Sequence, residues 1–200
     1  MIKLGITGGI GSGKTTICKM FKELGIPVYE ADAEAKRIMR EDLLIRTTLV
    51  EAFKGDDILD DDGFIDRKKL AAIVFSNKSK LEILNGIIHP FVRSDFAVWT
   101  SHQTAPYVIM ESAIMFESRT ALIMDYVLTV TALKETRIQR AMKRDGSTRE
   151  EVLARMDHQM PEESKVALSK FVVTNEGNNA KEQVLDIHEK IKYTSTFPDI

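Results

Sequence analysis

Apolar residues along this 200-residue chain fall into two kinds of run. Short unbroken runs closed by glycine or polar residues predict buried strands. Longer stretches with apolar residues three or four apart predict helices that bury one face. Ile2–Thr7 is the first strand run and stops at Gly8. A glycine-rich turn follows. Residues 14–24 then carry Ile17, Met20, Phe21 and Leu24 at helical spacing, with Gly25 placed to end the helix. Further strands are expected at 27–30, Tyr107–Glu111, Tyr126–Thr131 and Phe171–Thr174. Helices are expected at 31–53 (one or two), 66–100, 134–144, 148–160 and 180–190, with loop and helix over 113–124. Pro90 inside the 66–100 pattern is read as a helix start or a kink. Residues 193–200 are expected to fray.

Strands separated by helical stretches imply an α/β fold: a five-stranded parallel sheet flanked by helices. The stretch from about 55 to 103 carries little strand signal and reads as a helical insertion. No repeat or linker interrupts the chain, so residues 1–200 are expected to form a single domain. Composition adds limits. With 44% hydrophobic and 29% charged residues, the chain is neither disordered nor fibrous. Its 28 basic and 30 acidic residues leave a net charge of −2, which argues against a nucleic-acid partner. The lone Cys18 excludes an intrachain disulfide and fits a reducing compartment. No apolar run approaches the roughly 18 residues of a membrane span, and no signal peptide opens the chain. A cytoplasmic, monomeric protein is expected.

The turn after the first strand reads Gly8-Gly9-Ile10-Gly11-Ser12-Gly13-Lys14-Thr15, matching G-x-x-x-x-G-K-[ST] at every fixed position. Successive backbone N–H groups must converge on phosphate oxygens there, and glycines permit the dihedrals and the close approach. The helix starting near Lys14 adds its positive end. Lys14 is expected to reach the outer phosphates, and the Thr15 hydroxyl to ligate Mg²⁺. This phosphate-binding loop (P-loop) serves many reactions, so the rest of the chain must choose among them.

A guanine-reading N-K-x-D is missing: Asn77-Lys78-Ser79-Lys80 ends in lysine and lies in the helical insertion. Asp60-x-x-Gly63 follows only a short apolar pair. The acidic loop at 55–63 fails as a calcium hand, because Ile58 falls where the first ligand should be. His89, His102, His158 and His188 show no paired spacing for zinc.

Phosphoryl transfer needs an aligned nucleophile and neutralised phosphates. In an open α/β sheet these groups gather beyond the carboxyl ends of the strands. Asp32 follows the second strand, where it is either a base for an attacking hydroxyl or a helix N-cap. Glu111 closes the third strand, where it either holds Mg²⁺ through water or is an ordinary strand-end acid. Arg137, Arg140 and Arg144 share a helical face that either covers phosphates or is a solvated basic surface.

Taken together, several segments resemble the dephospho-coenzyme A kinase family. They are residues 7–16, from Thr7 through the P-loop to Thr16, and 24–32, ending Glu30-Ala31-Asp32. Gly63-Phe64-Ile65-Asp66-Arg67 with 70–75 follows, then Ile88-His89-Pro90, Met115-Phe116-Glu117, 140–145 with 148–150, and 173–177. The ordered set covers about residues 2–190. Glu30 stands where the family has the first Asp of D-A-D. Ala113 replaces a Pro, and Thr131 and Lys134 replace an Asp and a Pro.

The resemblance implies a P-loop core, a helical substrate-binding insertion at about 55–103 and a helical lid at about 134–165. It implies transfer of the γ-phosphoryl of ATP to the ribose 3′-hydroxyl of dephospho-CoA. Gly11, Ser12, Gly13, Lys14, Thr15 and Thr16 would bind ATP, Asp32 would be the base, and Lys14 and Arg140 would serve catalysis. Asp32 and the region around His89 would meet the acceptor. Another P-loop kinase acting on a nucleoside or nucleotide is the alternative. A non-catalytic nucleotide-binding regulator is a further one, disfavoured by Asp32 and the lid arginines.

Overall fold

The computed structural model describes residues 1–75 and 77–196, so positions 197–200 of the segment expected to fray lie outside the described residues. Among the described residues five strands form: β1 (Ile2–Thr7), β2 (Val28–Glu30), β3 (Tyr107–Glu111), β4 (Tyr126–Thr131) and β5 (Phe171–Thr174). They make one sheet in the order β2-β3-β1-β4-β5, every pair parallel. The expected α/β fold is therefore present. β1 and β3 read as continuous apolar runs because both of their faces are covered. Leu4, Ile6, Tyr107, Val108 and Ile109 are all fully buried.

Strand order positions the site. β1 lies between β3 and β4, so the chain leaves β1 toward one side of the sheet and later returns on the other. The crevice beyond the carboxyl end of such a strand is where α/β folds bind ligands. Register aligns Glu111 of β3 with Ile6 on one side and Glu30 on the other. The ends of β1, β2 and β3 thus finish level.

One compact unit comprises Met1–Glu30 and His102–Ile200. Helices α1 (Lys14–Glu23) and α9 (Ala180–Thr196) pack on its sheet. Ile17 and Phe21 of α1 join Val184, Ile187 and Ile191 of α9 over Leu4, Ile109, Leu128 and Val130. Full burial of a side chain such as Phe21 contributes about 2–3 kcal/mol. Gly25 takes φ +79° and ends α1, as its position in the sequence suggested.

The other unit, Ala31–Ser101, is helical: α2 (Ala31–Glu41), α3 (Leu43–Ala52), α4 (Arg67–Phe75) and α5 (Lys78–Ser101). It begins earlier than the insertion expected from about residue 55, because α2 and α3 pack on α5. Asp42 divides 31–53 into two helices; its carboxylate accepts the N–H of Leu44 (2.8 Å) and Ile45 (3.0 Å) and caps α3. Pro90 lies inside α5 and starts no helix. It removes the bond to the Gly86 carbonyl, and burial of Ile88, Val92 and Phe96 on either side outweighs that loss. In the acidic loop, Asp60 accepts from Asp62 and Phe64 N–H, while Lys69 and Lys80 neutralise Asp57 and Asp56.

Beyond β4, α6 (Lys134–Asp145), α7 (Arg149–Asp157) and α8 (Glu162–Ala167) follow in turn. The helix expected over 148–160 ends at Asp157, and α8 was not foreseen. Pro161 lies between the two helices, as the N-cap of α8. It biases the residue before it away from helical geometry and suits the entry to a new helix.

Candidate active site

The P-loop runs from the end of β1 into α1. Gly11 and Gly13 take φ +76° and +91°, a region that L side chains avoid. Neighbours also exclude a side chain. A Cβ at Gly11 would lie 2.1 Å from the Arg137 carbonyl oxygen, and one at Gly13 would lie 2.0 Å from Asn175 Nδ2. The Gly13 carbonyl accepts from Thr16 (2.9 Å) and Ile17 (3.2 Å) N–H, so the amino end of α1 begins at Lys14. With its dipole and first-turn amides, that end attracts anions. Ser12 Oγ is buried in the loop with no hydrogen-bond partner among the described residues.

Lys14 donates from Nζ to the Gly8 carbonyl (3.0 Å) and lies 3.8 Å from Glu111 Oε1. Both side chains are mostly buried, 13% and 14% exposed, so their charges are weakly screened. Lys14 and Glu111 thus come together as the strand ends suggested. Thr15 and Thr16 are exposed on the first turn of α1. Thr15 and Glu111 offer hard oxygens, the donor type that Mg²⁺ takes alongside water and phosphate oxygens. Among the described residues, no group of three or more His, Cys, Asp or Glu forms a metal cage. The donor set suits an ion shared with a phosphate ligand. Glu30, level with Glu111, is paired with Lys22 at 2.7 Å.

The three arginines of α6 separate. Arg137 is buried, donates from Nε to the Ile10 carbonyl (3.0 Å) and is ion-paired with Glu162. Arg140 is exposed and donates to the Asn175 carbonyl (3.0 Å). Arg144 turns to Asp145 (2.7 Å), which also holds Arg155 (2.7 Å); the two guanidinium bonds keep the Asp145 carboxyl well below its ordinary range. Only Arg140 combines exposure with nearness to the loop: its Nη1 is 3.9 Å from the Cβ position of Gly13. Asn175, after β5, joins the same network. Its Nδ2 donates to the Ser12 carbonyl (2.9 Å) and its N–H to the Thr131 carbonyl (2.8 Å).

Two side chains that sequence reasoning left unassigned anchor this end of the sheet. Lys165 is fully buried on α8, donates to the Ala113 carbonyl (2.8 Å) and pairs with Glu117 (2.9 Å). Glu117 also accepts the Met160 N–H (2.9 Å). Burial raises the Glu117 carboxyl, but the Met160 N–H and Lys165 outweigh it and hold the group below its ordinary value. Met115-Phe116-Glu117 stood out in the sequence, and its partner Lys165 did not.

Asp32 and His89 belong to the helical unit. α2 starts at Ala31, so Asp32 sits inside the first turn, exposed, and is not the N-cap. His89 is half-buried on α5; burial, then Arg93, lowers its pKa and favours the neutral ring.

Comparison with known proteins identifies the family of the chain. The family model for dephospho-CoA kinase (CoaE) matches residues 2–181. A dephospho-CoA kinase of Bacteroides fragilis is 36% identical over 198 residues, covering 96% of each chain. A Thermus thermophilus crystal structure superposes with a TM-score of 0.80 at 36% identity, covering 94% of this chain and 96% of that one. The structure of a dephospho-CoA kinase from Campylobacter jejuni gives 0.67 at 27% identity, covering 96% and 97%.

Proposed function

This chain belongs to the dephospho-CoA kinase family, and on that premise we propose that it transfers the γ-phosphoryl of ATP to the ribose 3′-hydroxyl of dephospho-CoA, giving CoA and ADP. The observation that carries the reading is the family match over residues 2–181, which takes in both the P-loop and the helical unit. A P-loop alone would leave the acceptor open.

In this reading the phosphates of ATP lie along the amides of Gly11, Ser12, Gly13, Lys14, Thr15 and Thr16 at the positive end of α1. Asp32 accepts the proton of the 3′-hydroxyl. The new O–P bond forms as the bond from the γ-phosphorus to the bridging oxygen breaks. Its place in the first turn of α2, two residues after β2, supports this role, since the capping alternative is gone. Lys14 and Arg140 hold positive charge where negative charge spreads over the transferring group. Mg²⁺, with Thr15 and a water-mediated Glu111 as its protein donors, supplies further neutralisation of phosphate oxygens when bound. His89, kept neutral by burial and Arg93, offers the acceptor a hydrogen bond rather than a charge.

Among the described residues, no helix is long and apolar enough to cross a membrane. We place the reaction in the cytoplasm, with two small molecules as its only required partners and a monomer as the working unit.

The test is ADP release with a panel of acceptors: dephospho-CoA, AMP, CMP, shikimate and adenosine. Dephospho-CoA is expected to exceed every other acceptor by orders of magnitude. Equal turnover with AMP or CMP would transfer the case to a nucleotide kinase. ATP binding without transfer to any acceptor would make the protein a regulator.

A further inference from the structure

Ile10 fills one of the four unspecified positions of the P-loop motif, and its backbone N–H and carbonyl are both claimed by the segment that follows β4. Its N–H donates to Gln159 Oε1 (2.9 Å), in the turn after α7. Its carbonyl accepts from Arg137 Nε (3.0 Å), on the first turn of α6. Its side chain packs on Ile138, Ala141 and Val152, the apolar cluster between α6 and α7. These are three separate attachments to one residue, from partners more than 120 positions away in the chain.

Arg137 is itself fixed. Glu162, at the start of α8, pairs with its guanidinium, accepts from the Thr131 hydroxyl and lies 3.4 Å from the Ala132 N–H. The carboxylate therefore ties Arg137 to the end of β4. Arg137 is only 7% exposed, so it is spent on this work and is not presented to solvent as Arg140 is.

The Ile10 N–H is thereby withdrawn from phosphate binding, and the cradle starts at Gly11. A glycine-rich loop has many accessible conformations and gives up that freedom when it closes on phosphates. Holding Ile10 from both sides removes part of that freedom before nucleotide arrives, which is preorganisation. We propose that Gln159 and Arg137 are positioning residues for the P-loop, setting the shape of its phosphate-binding half by gripping the backbone N–H and carbonyl of Ile10. The proposal deepens the kinase reading and rests on it for the identity of the nucleotide. It also assigns different work to two arginines one helical turn apart: Arg137 shapes the loop, and Arg140 faces the phosphates.

The test uses the whole chain with Gln159→Ala and Gln159→Glu. Gln159→Ala deletes the acceptor, and Gln159→Glu keeps one. Amide hydrogen exchange is followed without nucleotide, ADP affinity is measured by calorimetry, and steady-state kinetics are measured with dephospho-CoA. For Gln159→Ala, exchange at Ile10 is expected to quicken about tenfold, the scale of one net hydrogen bond. ADP affinity is expected to weaken about five- to tenfold by the same reckoning. KM for dephospho-CoA stays within about twofold, because the acceptor does not use the loop's preorganisation. Gln159→Glu is expected to keep the slow exchange at Ile10.

Unchanged exchange at Ile10 in Gln159→Ala would overturn the proposal. So would faster exchange with unaltered ADP affinity. Quickening that spread equally over β1 and β4 would show that Gln159 serves only the fold, and would overturn it too. Failure of the wild-type protein to phosphorylate dephospho-CoA would instead count against the proposed reaction, leaving the exchange and ADP comparisons intact.

Discussion

Replacing Lys165 by methionine should be among the most damaging single changes outside the apolar core. The lysine is fully buried, and its ammonium serves two acceptors, the Ala113 carbonyl at 2.8 Å and Glu117 at 2.9 Å. Methionine nearly preserves volume and is flexible enough to fill the space, so little of the loss is a cavity. What remains is a carbonyl short of a donor and a carboxylate short of its counter-charge. Breaking a buried pair typically costs 3–5 kcal/mol. Glu117 is 25% exposed and keeps the Met160 N–H, so water and that amide recover part of the cost. About 3 kcal/mol is a fair figure on that basis. For a chain of this length it corresponds to a fall in Tm of about 6–12 °C by circular dichroism or calorimetry. A double-mutant cycle sharpens the test. Glu117→Gln alone should destabilise, yet added to Lys165→Met it should cost far less, since it removes the unpaired charge. A Lys165→Met protein melting within about 2 °C of wild type, or two losses that simply add, would refute the reasoning.

The catalytic assignments give two further expectations. On the proposed reading, in which Lys14 serves ligand charge and not the core, Lys14→Ala should lower kcat by about two to four orders of magnitude while circular dichroism stays native; near-normal turnover would remove Lys14 from catalysis. Asp32→Asn should lower kcat by about 10²–10⁴-fold with Tm and ATP affinity almost unchanged, as the loss of a general base requires; retained activity would send the search for the base to Glu111. A pH effect comes from the other end of the sheet, where the Tyr107 hydroxyl lies 2.8 Å from Nδ1 of the buried His188. Burial holds the folded imidazole below its ordinary 6.5; Glu189 opposes this to a smaller extent, and Lys192 adds to it. The unfolded chain therefore binds more protons as pH falls below about 6.5. This contribution to stability is complete above that pH and is lost as pH descends toward the folded value. His188→Gln should flatten the Tm–pH curve relative to wild type between about pH 7 and 5.5, and parallel curves would refute the assignment.

Much of the fold could be read from apolar periodicity because the inner strands β1, β3 and β4 are largely buried on both faces. Ile2–Thr7, Tyr107–Glu111 and Tyr126–Thr131 were legible as short apolar runs closed by glycine or polar residues, the mark of inner strands of a parallel sheet, and the edge strand Phe171–Thr174 was legible from its β-branched and aromatic residues although it is half-exposed. Strand order was not legible. It depends on which helix covers which face, and that is settled by contacts such as those of Phe21 with Tyr107, whose rings meet edge to face at 6.5 Å. The helix boundary at Asp157 was missed although Pro161 announced it. A proline's effect on the residues before it is as informative as the periodicity it interrupts.

The site divides in the same way. Lys14 and Thr15 were legible because the motif encodes backbone geometry, which is local in sequence. Glu111 was legible as a strand end. Arg137, Arg140 and Arg144 at i, i+3 and i+7 looked alike, since helical spacing gives a shared face but not the neighbours of each position. Those neighbours lie far off in the chain: Ile10 and Glu162 for Arg137, Asn175 for Arg140, while Arg144 stops at its own Asp145. A carbonyl from the P-loop and a buried carboxylate turn one guanidinium into a structural brace. The Asn175 carbonyl holds the next one, Arg140, exposed beside Gly13 at the amino end of α1. Helical charge patterns therefore locate a cationic face, and only the long-range hydrogen bonds decide which member of it is able to act on a phosphate.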